Sequence, residues 1–298
     1  MSASWNELSE GLAGVVEAQG SSVVRVEARR RWPSSGVVLS ADGLIAIAQH
    51  TVEGDEEIEV GFADGKTAPA KLVGRDPGSD LALLKADATA LHPVSWADGA
   101  ALKVGHLVLA VARPGRGPRA TLGIVSALGD GFRTPTGGQV DRYLQTDLAL
   151  QPGFSGSLLA TVSGEVLGLN TGGLMRGVSL AIPAETVRRV TDSLLQHGRV
   201  RRGFLGVGTQ PVRLPEALAA QAGQGSGLLV ISVQPDGPSY QAGVLLGDVL
   251  LSLDGKPLSR VEELLELLGE DRIGAEVTAR LNRAGQTVEA RVTLGVRP

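Results

Sequence analysis

The sequence predicts a mainly β protein of two domains, in which the second domain is smaller and mixes strands with short helices. Three observations predict this fold class. The chain has 298 residues, about twice the length of a typical ~150-residue domain. Short apolar runs separated by turn-forming residues recur from residue 21 to about residue 180. The chain has 41 glycines but only nine aromatic residues, so most glycines indicate turns and the core is expected to be aliphatic.

An N-terminal helix is predicted over residues 1–20. Trp5 and Leu8 begin an apolar pattern at helical spacing. Ser4 and Glu7 have the spacing of a capping box.

The pattern of residues 21–200 predicts roughly a dozen short strands followed by a helix at the end of the domain. Apolar or alternating runs such as SVVRVEAR, LIAIA and HLVLAVA are separated by turn dipeptides such as Asp42-Gly43. An amphipathic pattern over 183–198 predicts a helix that ends at Gly198. These signals favour an all-β barrel or sandwich.

Residues 201–298 predict a small α+β domain. The runs FLGVGTQ, GLLVISVQ and EVTARL indicate strands, and LPEALAAQA and RVEELLELLG indicate short helices. About 100 residues suffice for one such domain, and we place the domain boundary near residue 200.

Composition excludes several classes of protein. The chain has no cysteine, which excludes a disulfide framework, a cysteine nucleophile and an iron–sulfur site. The formal net charge of −4 gives no electrostatic reason to expect nucleic-acid binding. No apolar run approaches the ~18 residues of a membrane span. The first residues lack the pattern of a signal peptide, so the chain as given predicts a cytoplasmic location.

Cofactor motifs are weak. Residues 115–120 match G-x-G-x-x-A, but a strand pattern follows them and Pro118 interrupts them, which argues against dinucleotide binding. The sequence has no H-E-x-x-H motif and no cluster of metal ligands. We expect neither a metal nor an organic cofactor.

Among the four histidines, His50 is the best candidate for a general base. It follows the apolar run LIAIAQ and precedes a polar loop. His92 and His106 have the context of surface residues. His197 ends a predicted helix, where an imidazole interacts favourably with the helix dipole.

The segment QPGFSGS places Ser155 between Gly153 and Gly156. Glycines beside a serine allow a tight backbone turn that directs N–H groups at an oxyanion. A G-x-S-x-G nucleophile elbow is the competing interpretation, but it fails because position 157 is serine.

The candidate residues follow the chain order His, Asp, Ser. Asp80 opens the apolar run DLALLKA, where a carboxylate at a buried strand end can orient an imidazole. Asp76 is the rival, although Pro77 and Gly78 place it in a turn. Spacing by itself leaves open that His50, Asp80 and Ser155 are unrelated turn residues.

Several linked motifs also occur in one order. They are SSGVVLSADGLIAIAQHTVEGDEEIEV, KLVGRDPGSDLALLKAD, YLQTDLALQPGFSGSLL, GEVLGLNTGG, RRGFLGV and GLLVISVQPDGPSYQAGVLLGDVLLSLDGKPL. In these motifs the chain resembles the HtrA/Deg serine proteases from about residue 21 onward. The resemblance implies a chymotrypsin-like double β-barrel over 21–200 and a PDZ domain over 201–298. It also implies a serine endopeptidase that cleaves unfolded or damaged proteins in protein quality control and stress response.

The resemblance assigns catalytic roles to the candidate residues. Ser155 is the nucleophile, His50 the general base, and Asp80 the group that holds the imidazole tautomer. The N–H groups of Gly153 and Ser155 form the oxyanion hole.

The resemblance also implies two recognition sites. Ala149 and Leu150 line the primary specificity pocket, which the loop 172–177 completes. None of these residues is acidic, so we expect small or medium aliphatic residues at P1.

In the PDZ domain, the resemblance implies that main-chain N–H groups around Gly203, Phe204, Leu205 and Gly206 bind the carboxylate of a C-terminal peptide. A strand beginning near Leu205 then pairs with that peptide. The family further implies a homotrimer, with helix 1–20 as a contact, and a location in the cell envelope.

The sequence departs from the family at three places. Phe154 stands where the family has a polar residue, and Gly156-Ser157-Leu158 stands where it has Gly-Gly-Pro. Ile47-Ala48-Gln49 replaces the usual Thr-Asn-Asn. These departures leave an alternative open, a catalytically impaired PDZ adaptor or chaperone that binds clients without cleaving them.

Overall fold

The computed structural model describes residues 5–28, 32–54, 58–134, 136–175 and 177–296. The chain divides into two compact units, Met1–Val200 and Arg201–Pro298. The predicted N-terminal helix is present as α1, which spans Trp5–Gly20. Ser4 of the predicted capping box lies outside the described residues.

The described part of the first unit contains two closed antiparallel barrels of six strands each. The first barrel has the strand order β1-β2-β3-β6-β5-β4 and the second has the order β10-β11-β12-β9-β8-β7. Their strands are β1 (Val23–Glu27), β2 (Ser34–Val38), β3 (Leu44–Ala48), β4 (Ile58–Gly61), β5 (Thr67–Asp76), β6 (Leu81–Ala86), β7 (Leu107–Ala112), β8 (Arg119–Arg133), β9 (Gln139–Thr146), β10 (Leu158–Thr161), β11 (Val166–Thr171) and β12 (Ser179–Pro183).

Strand alternation explains why several runs are apolar without interruption. In β6, Ala82 and Leu84 belong to a core cluster formed by the first barrel. Leu81 and Leu83 on its opposite face join a second cluster that includes residues of both barrels. Because successive side chains point to opposite faces of a strand, a strand buried on both faces must be apolar at every position.

Helix α2 (Ala184–His197) closes the first unit. Its buried residues Val187, Val190 and Leu194 pack into the cluster shared by the two barrels. The helix ends at Gly198, whose φ of 69° is the left-handed conformation that glycine adopts most easily.

The described part of the second unit contains a six-stranded antiparallel sheet with the strand order β14-β15-β16-β18-β19, in which β17 pairs with β16, a two-stranded sheet of β13 and β20, and several short helices. Its described elements are β13 (Gly203–Phe204), β14 (Val207–Arg213), α3 (Glu216–Ala222), β15 (Ser226–Val233), α4 (Pro238–Gln241), β16 (Val249–Leu253), β17 (Lys256–Pro257), α5 (Val261–Glu266), β18 (Glu276–Arg283), β19 (Gln286–Thr293) and β20 (Gly295–Val296). Two single-turn 3-10 helices, Gln49–Thr51 and Glu270–Arg272, complete the described elements of the chain.

Two expectations about this unit need correction. The run FLGVGTQ is not one strand, because Gly206 has φ +78° and separates β13 from β14. The helix predicted from RVEELLELLG is limited to Val261–Glu266. The mainly β class is confirmed, and no helix among the described residues is long and apolar enough to cross a bilayer.

Candidate active site

Strand pairing in the first barrel brings His50 to Asp80. Strands β3 and β6 are antiparallel neighbours, with Ala48 opposite Leu81. His50 therefore leaves the end of β3 where Asp80 enters β6. Asp80 is not the first residue of that strand, as the sequence suggested, because its φ of +57° turns the backbone just before Leu81.

The Asp80 carboxylate holds His50 by two hydrogen bonds. Oδ1 accepts the backbone N–H of His50 at 2.8 Å, and Oδ2 lies 2.8 Å from Nδ1 of the imidazole. Asp80 is only 4% exposed, whereas the His50 side chain is 35% exposed, so the carboxylate is shielded from water and the imidazole is partly open to solvent. A carboxylate facing Nδ1 favours the tautomer with a proton there, which makes Nε2 the nitrogen that accepts a proton.

Two residues that the sequence analysis did not assign to this pair support it. The Thr171 hydroxyl donates to Oδ2 of Asp80, and the N–H of Gly173 donates to Thr171 Oγ1 at 2.9 Å. A Cβ atom at Gly173 would lie 2.5 Å from both Asp80 Oδ2 and His50 Nδ1. The sequence did offer a signal, the pair Gly172-Gly173 directly after a buried strand. Such glycines are typical of places where other groups approach the backbone closely.

Ser155 lies in the loop between β9 and β10. The N–H of Phe154 donates to the Gln151 carbonyl at 3.0 Å, and Gly153 has φ +89°. With Pro152 before that glycine, these are the features of a type II turn, which needs a positive φ at its third residue. Gly156 also has a positive φ, and a Cβ there would overlap the Ser35 carbonyl.

Ser155 and His50 line one cavity of about 340 Å³. Gly153 and Leu150 also line it, whereas Ala149 is exposed outside the lining residues. Among the hydrogen bonds of the described residues, none uses the N–H groups of Gly153 and Ser155. Both donors are therefore available to a bound group.

The sequence departures around Ser155 face inward. Phe154 is 2% exposed and packs in the core of the second barrel with Leu148 and Leu159. Ser157 is fully buried, and its hydroxyl accepts a hydrogen bond from Asn170 Nδ2 at 3.1 Å.

Of the other departures, Gln49 is half-buried and does not line the cavity, and the remaining three are buried. Leu158, Ile47 and Ala48 belong to the apolar cores. The family differences at these positions therefore change packing behind the site rather than the groups that line the cavity.

The rival carboxylate Asp76 stabilises its own turn. It is buried and accepts hydrogen bonds from the N–H groups of Gly78 and Ser79 and from the Ser79 hydroxyl. The structure therefore brings Asp80, and not Asp76, to His50. The described residues contain no group of three or more His, Asp or Glu side chains that could hold a metal ion.

The predicted carboxylate-binding segment of the second unit, residues 203–206, consists of β13 and the connection from β13 to β14. The N–H of Gly203 donates to the Leu268 carbonyl at 3.1 Å. The carbonyls of Leu205 and Gly206 accept hydrogen bonds at 2.9 and 2.8 Å. Strand β14 pairs with β15 on one side and lies at the edge of its sheet.

Two closed antiparallel barrels, with a hydrogen-bonded His–Asp pair and with the histidine and a serine on one cavity, define a trypsin-like serine peptidase. Comparison with known proteins agrees with that class. The family model for a trypsin-like peptidase domain matches residues 34–169, and the model for a PDZ domain matches residues 203–294.

Similar solved structures identify a family within this class of peptidase. The serine endoprotease from Yersinia pestis is 31% identical with a TM-score of 0.74, and the alignment covers 100% of each chain. The HtrA-type protease AlgW with a tripeptide is 32% identical with a TM-score of 0.72, covering 96% of this chain and 97% of that one. The chain therefore belongs to the HtrA-type serine proteases.

Curated relatives are similar over most of this chain. A probable periplasmic serine endoprotease DegP-like of Pseudomonas putida (strain W619) is 39% identical over 271 residues, which cover 89% of this chain. A protein of Halomonas elongata with the same description is 38% identical over 273 residues. The match with the Pseudomonas protein spans only 56% of that relative's length.

Proposed function

We propose that the chain is a serine endopeptidase that cleaves unfolded or damaged proteins and uses its PDZ domain to recognise C-terminal peptides. The observation that supports this most directly is the doubly hydrogen-bonded His50–Asp80 pair, whose histidine lines the same cavity as Ser155. The geometry supports the triad order His50, Asp80, Ser155.

In the proposed mechanism, Ser155 Oγ attacks the scissile carbonyl while His50 Nε2 accepts its proton. Asp80 stabilises the imidazolium that results. The N–H groups of Gly153 and Ser155 bind the developing oxyanion. His50 then protonates the leaving amine, and water releases the acyl group by the same steps in reverse order.

A fluorophosphonate probe tests the nucleophile. We expect wild-type protein to be labelled and to cleave an unfolded protein substrate, and we expect Ser155→Ala to do neither. Ser163→Ala, which removes an exposed serine, is the matched control and should behave like the wild type. Wild-type protein that is neither labelled nor active would favour the binding-only adaptor or chaperone.

We further propose that the primary specificity pocket accepts small or medium aliphatic P1 residues. Leu150 supports this because it is apolar and lines the cavity beside Ser155, whereas Ala149 lies outside it. Arg176, in the loop 172–177, lies outside the described residues. Peptide substrates that differ only at P1 test the proposal, and faster cleavage after Lys or Arg than after Val would reject it.

For the PDZ domain we propose carboxylate capture by the N–H groups of Phe204, Leu205 and Gly206. We leave Gly203 out because its N–H already donates to Leu268. The unpaired edge of β14 can then add the peptide as a strand. Binding of a C-terminal peptide should weaken when its terminus is amidated, and equal affinity of the two forms would reject carboxylate capture.

We propose self-association into a trimer through helix α1. Trp5 supports this because it is 86% exposed at the start of that helix. Sedimentation of Trp5→Ser should show a shift toward monomer, with Leu195→Ser, an exposed position on α2, as control. A wild-type monomer at all concentrations would reject the proposal.

A further inference from the structure

Ser35, a residue of the first barrel, binds the loop that carries Ser155 at two points. Its N–H donates to the Ser155 carbonyl at 3.2 Å, and its hydroxyl donates to the Gly153 carbonyl at 2.8 Å. Ser35 is 0% exposed, so water does not compete for these bonds. Ser35 of β2 thus holds the carbonyls of Gly153 and Ser155, the two residues on either side of Phe154.

These bonds fix two peptide planes at both ends. In the plane that follows Gly153, the carbonyl is held by Ser35 and the N–H of Phe154 by Gln151. In the plane that follows Ser155, the carbonyl is held by Ser35 and the N–H of Gly156 by the Asn170 carbonyl at 2.9 Å. Because a peptide group is planar and trans, neither plane can rotate without breaking two hydrogen bonds.

The peptide plane before Gly153 carries the Gly153 N–H, and the plane between Phe154 and Ser155 carries the Ser155 N–H. Neither N–H group has a hydrogen-bond partner among the described residues. Rotation of the Gly153 carbonyl toward the cavity would disturb the turn at Pro152-Gly153, which directs the Gly153 N–H. The Ser35 hydroxyl, together with the Gln151 carbonyl that holds the other end of this plane, therefore opposes that rotation.

Ser35 is itself anchored by Arg113. The N–H of Arg113 donates to Ser35 Oγ at 2.9 Å. The Arg113 guanidinium is buried, and it donates to the carbonyls of Gly20, Val23 and Arg116 at 2.7 to 2.8 Å. Burial lowers the pKa of this guanidinium. Because Gly20 ends helix α1, one arginine connects that helix, strand β1 and the serine that holds the catalytic loop.

We propose that Ser35 is a positioning residue for the oxyanion site, held in place by Arg113. Its hydroxyl keeps the Gly153 carbonyl turned away from the cavity so that the N–H groups of Gly153 and Ser155 stay directed into it. This inference rests on the proposed peptidase function and assigns a role to a residue that does not touch the substrate.

Three measurements on Ser35→Ala and Ser35→Cys, made in the whole 298-residue chain, test the role. They are kcat and KM for a peptide substrate, the rate of fluorophosphonate labelling, and the affinity for a peptide aldehyde, which forms an oxyanion with the serine. We expect kcat and labelling of Ser35→Ala to fall roughly 10- to 100-fold, less than the ~10²–10³-fold lost when an oxyanion donor is removed outright. The aldehyde affinity should fall by the same factor as kcat/KM, since both report the oxyanion. Ser35→Cys should be intermediate, because a thiol is a weak donor.

Thr191→Val is the control, because it removes another buried hydroxyl that donates to a backbone carbonyl, in α2. It should match Ser35→Ala in loss of melting temperature but retain wild-type kcat. Wild-type kcat in both Ser35 variants, or a fall in kcat with unchanged aldehyde affinity, overturns the role of Ser35 alone. Wild-type protein that is neither labelled nor active overturns the proposed function and this inference with it.

Discussion

Three glycines show how single residues shape the candidate active site. Gly153 and Gly156 have positive φ angles, so they are needed for the path of the loop around Ser155. Gly173 is needed for space, because a side chain there would meet the His50–Asp80 pair. Conformation and close approach are different physical reasons for the same residue type.

Gly173→Ala is expected to lower kcat by about 10²-fold or more, because misplacing a catalytic group by ~1 Å can cost that much. The added methyl group would push apart Asp80 Oδ2 and His50 Nδ1. Gly172→Ala is the control, since a Cβ there meets no atom within 4 Å. Peptide-hydrolysis kinetics on both variants check the prediction, and similar losses in the two would contradict it.

Phe154→Ala is expected to destabilise the protein by about 3–5 kcal/mol, the cost of removing a large aromatic side chain from a core. Phe154 is buried in the second barrel, whereas Phe132 is half-buried and packs edge-on against Tyr143. Urea unfolding of Phe154→Ala and Phe132→Ala should therefore show the larger loss for Phe154. Equal losses would mean that Phe154 does not anchor the loop in this core.

At the scale of elements, the stability of a short helix depends on the hydrogen bonds at its ends. Helix α5 has only six residues, too few to be stable alone. Its first turn is held by Glu263, whose carboxylate accepts the N–H groups of Ser259 and Arg260 at 2.7 and 3.0 Å. The hydrogen bond from the Ser259 N–H, and to a smaller extent the one from the Arg260 N–H, lowers the pKa of Glu263 from 4.5 to about 2. Burial opposes this shift.

This pKa shift predicts a pH dependence of stability. Because the pKa of Glu263 is lower in the folded state, its contribution is complete above the unfolded pKa of 4.5 and is lost as pH falls toward 2. Glu263→Gln should therefore destabilise the second unit at pH 7 and flatten the loss of stability between pH 5 and pH 2. Thermal unfolding across that range checks this, with Glu262→Gln on the exposed side of α5 as control; identical pH profiles for Glu263→Gln and the wild type would count against it.

At the scale of the whole molecule, each compact unit has its own aliphatic core. All members of the core cluster of the second unit lie between Leu205 and Leu294. A partly buried ion pair adds to it, since the buried Asp248 accepts two hydrogen bonds at 2.8 Å from Arg283, whose side chain is 34% exposed.

We expect residues 201–298 to fold when expressed alone, because their core uses no residue of the first unit. The isolated unit should unfold in one cooperative thermal transition followed by circular dichroism. Arg283→Met should lower its stability by about 2 kcal/mol, less than the ~3–5 kcal/mol for removing one partner of a fully buried pair, because the Arg283 side chain is partly exposed to solvent. Arg280→Met on the same strand is the control, and a transition without cooperativity would show that the unit is not independent.

Much of the fold could be predicted from the sequence because its signals are local. Alternating apolar runs, turn dipeptides and glycine spacing predicted a mainly β chain with an aliphatic core. Ser155 and His50 could be singled out because cysteine is absent and histidine is scarce. The break at Gly206 was missed because a glycine within an apolar run does not reveal the sign of its φ angle.

The sequence by itself determined the class of fold, the HtrA-type family and a short list of candidate residues. The tertiary structure decided which of them meet. It brought Asp80 rather than Asp76 to His50, and it supplied Thr171, which is 91 positions from Asp80 along the chain. It also joined Ser35 to Gly153, 118 positions away. Such contacts depend on how strands pair and how the barrels close, and no local pattern of residues encodes the direction in which a distant hydroxyl or carbonyl points.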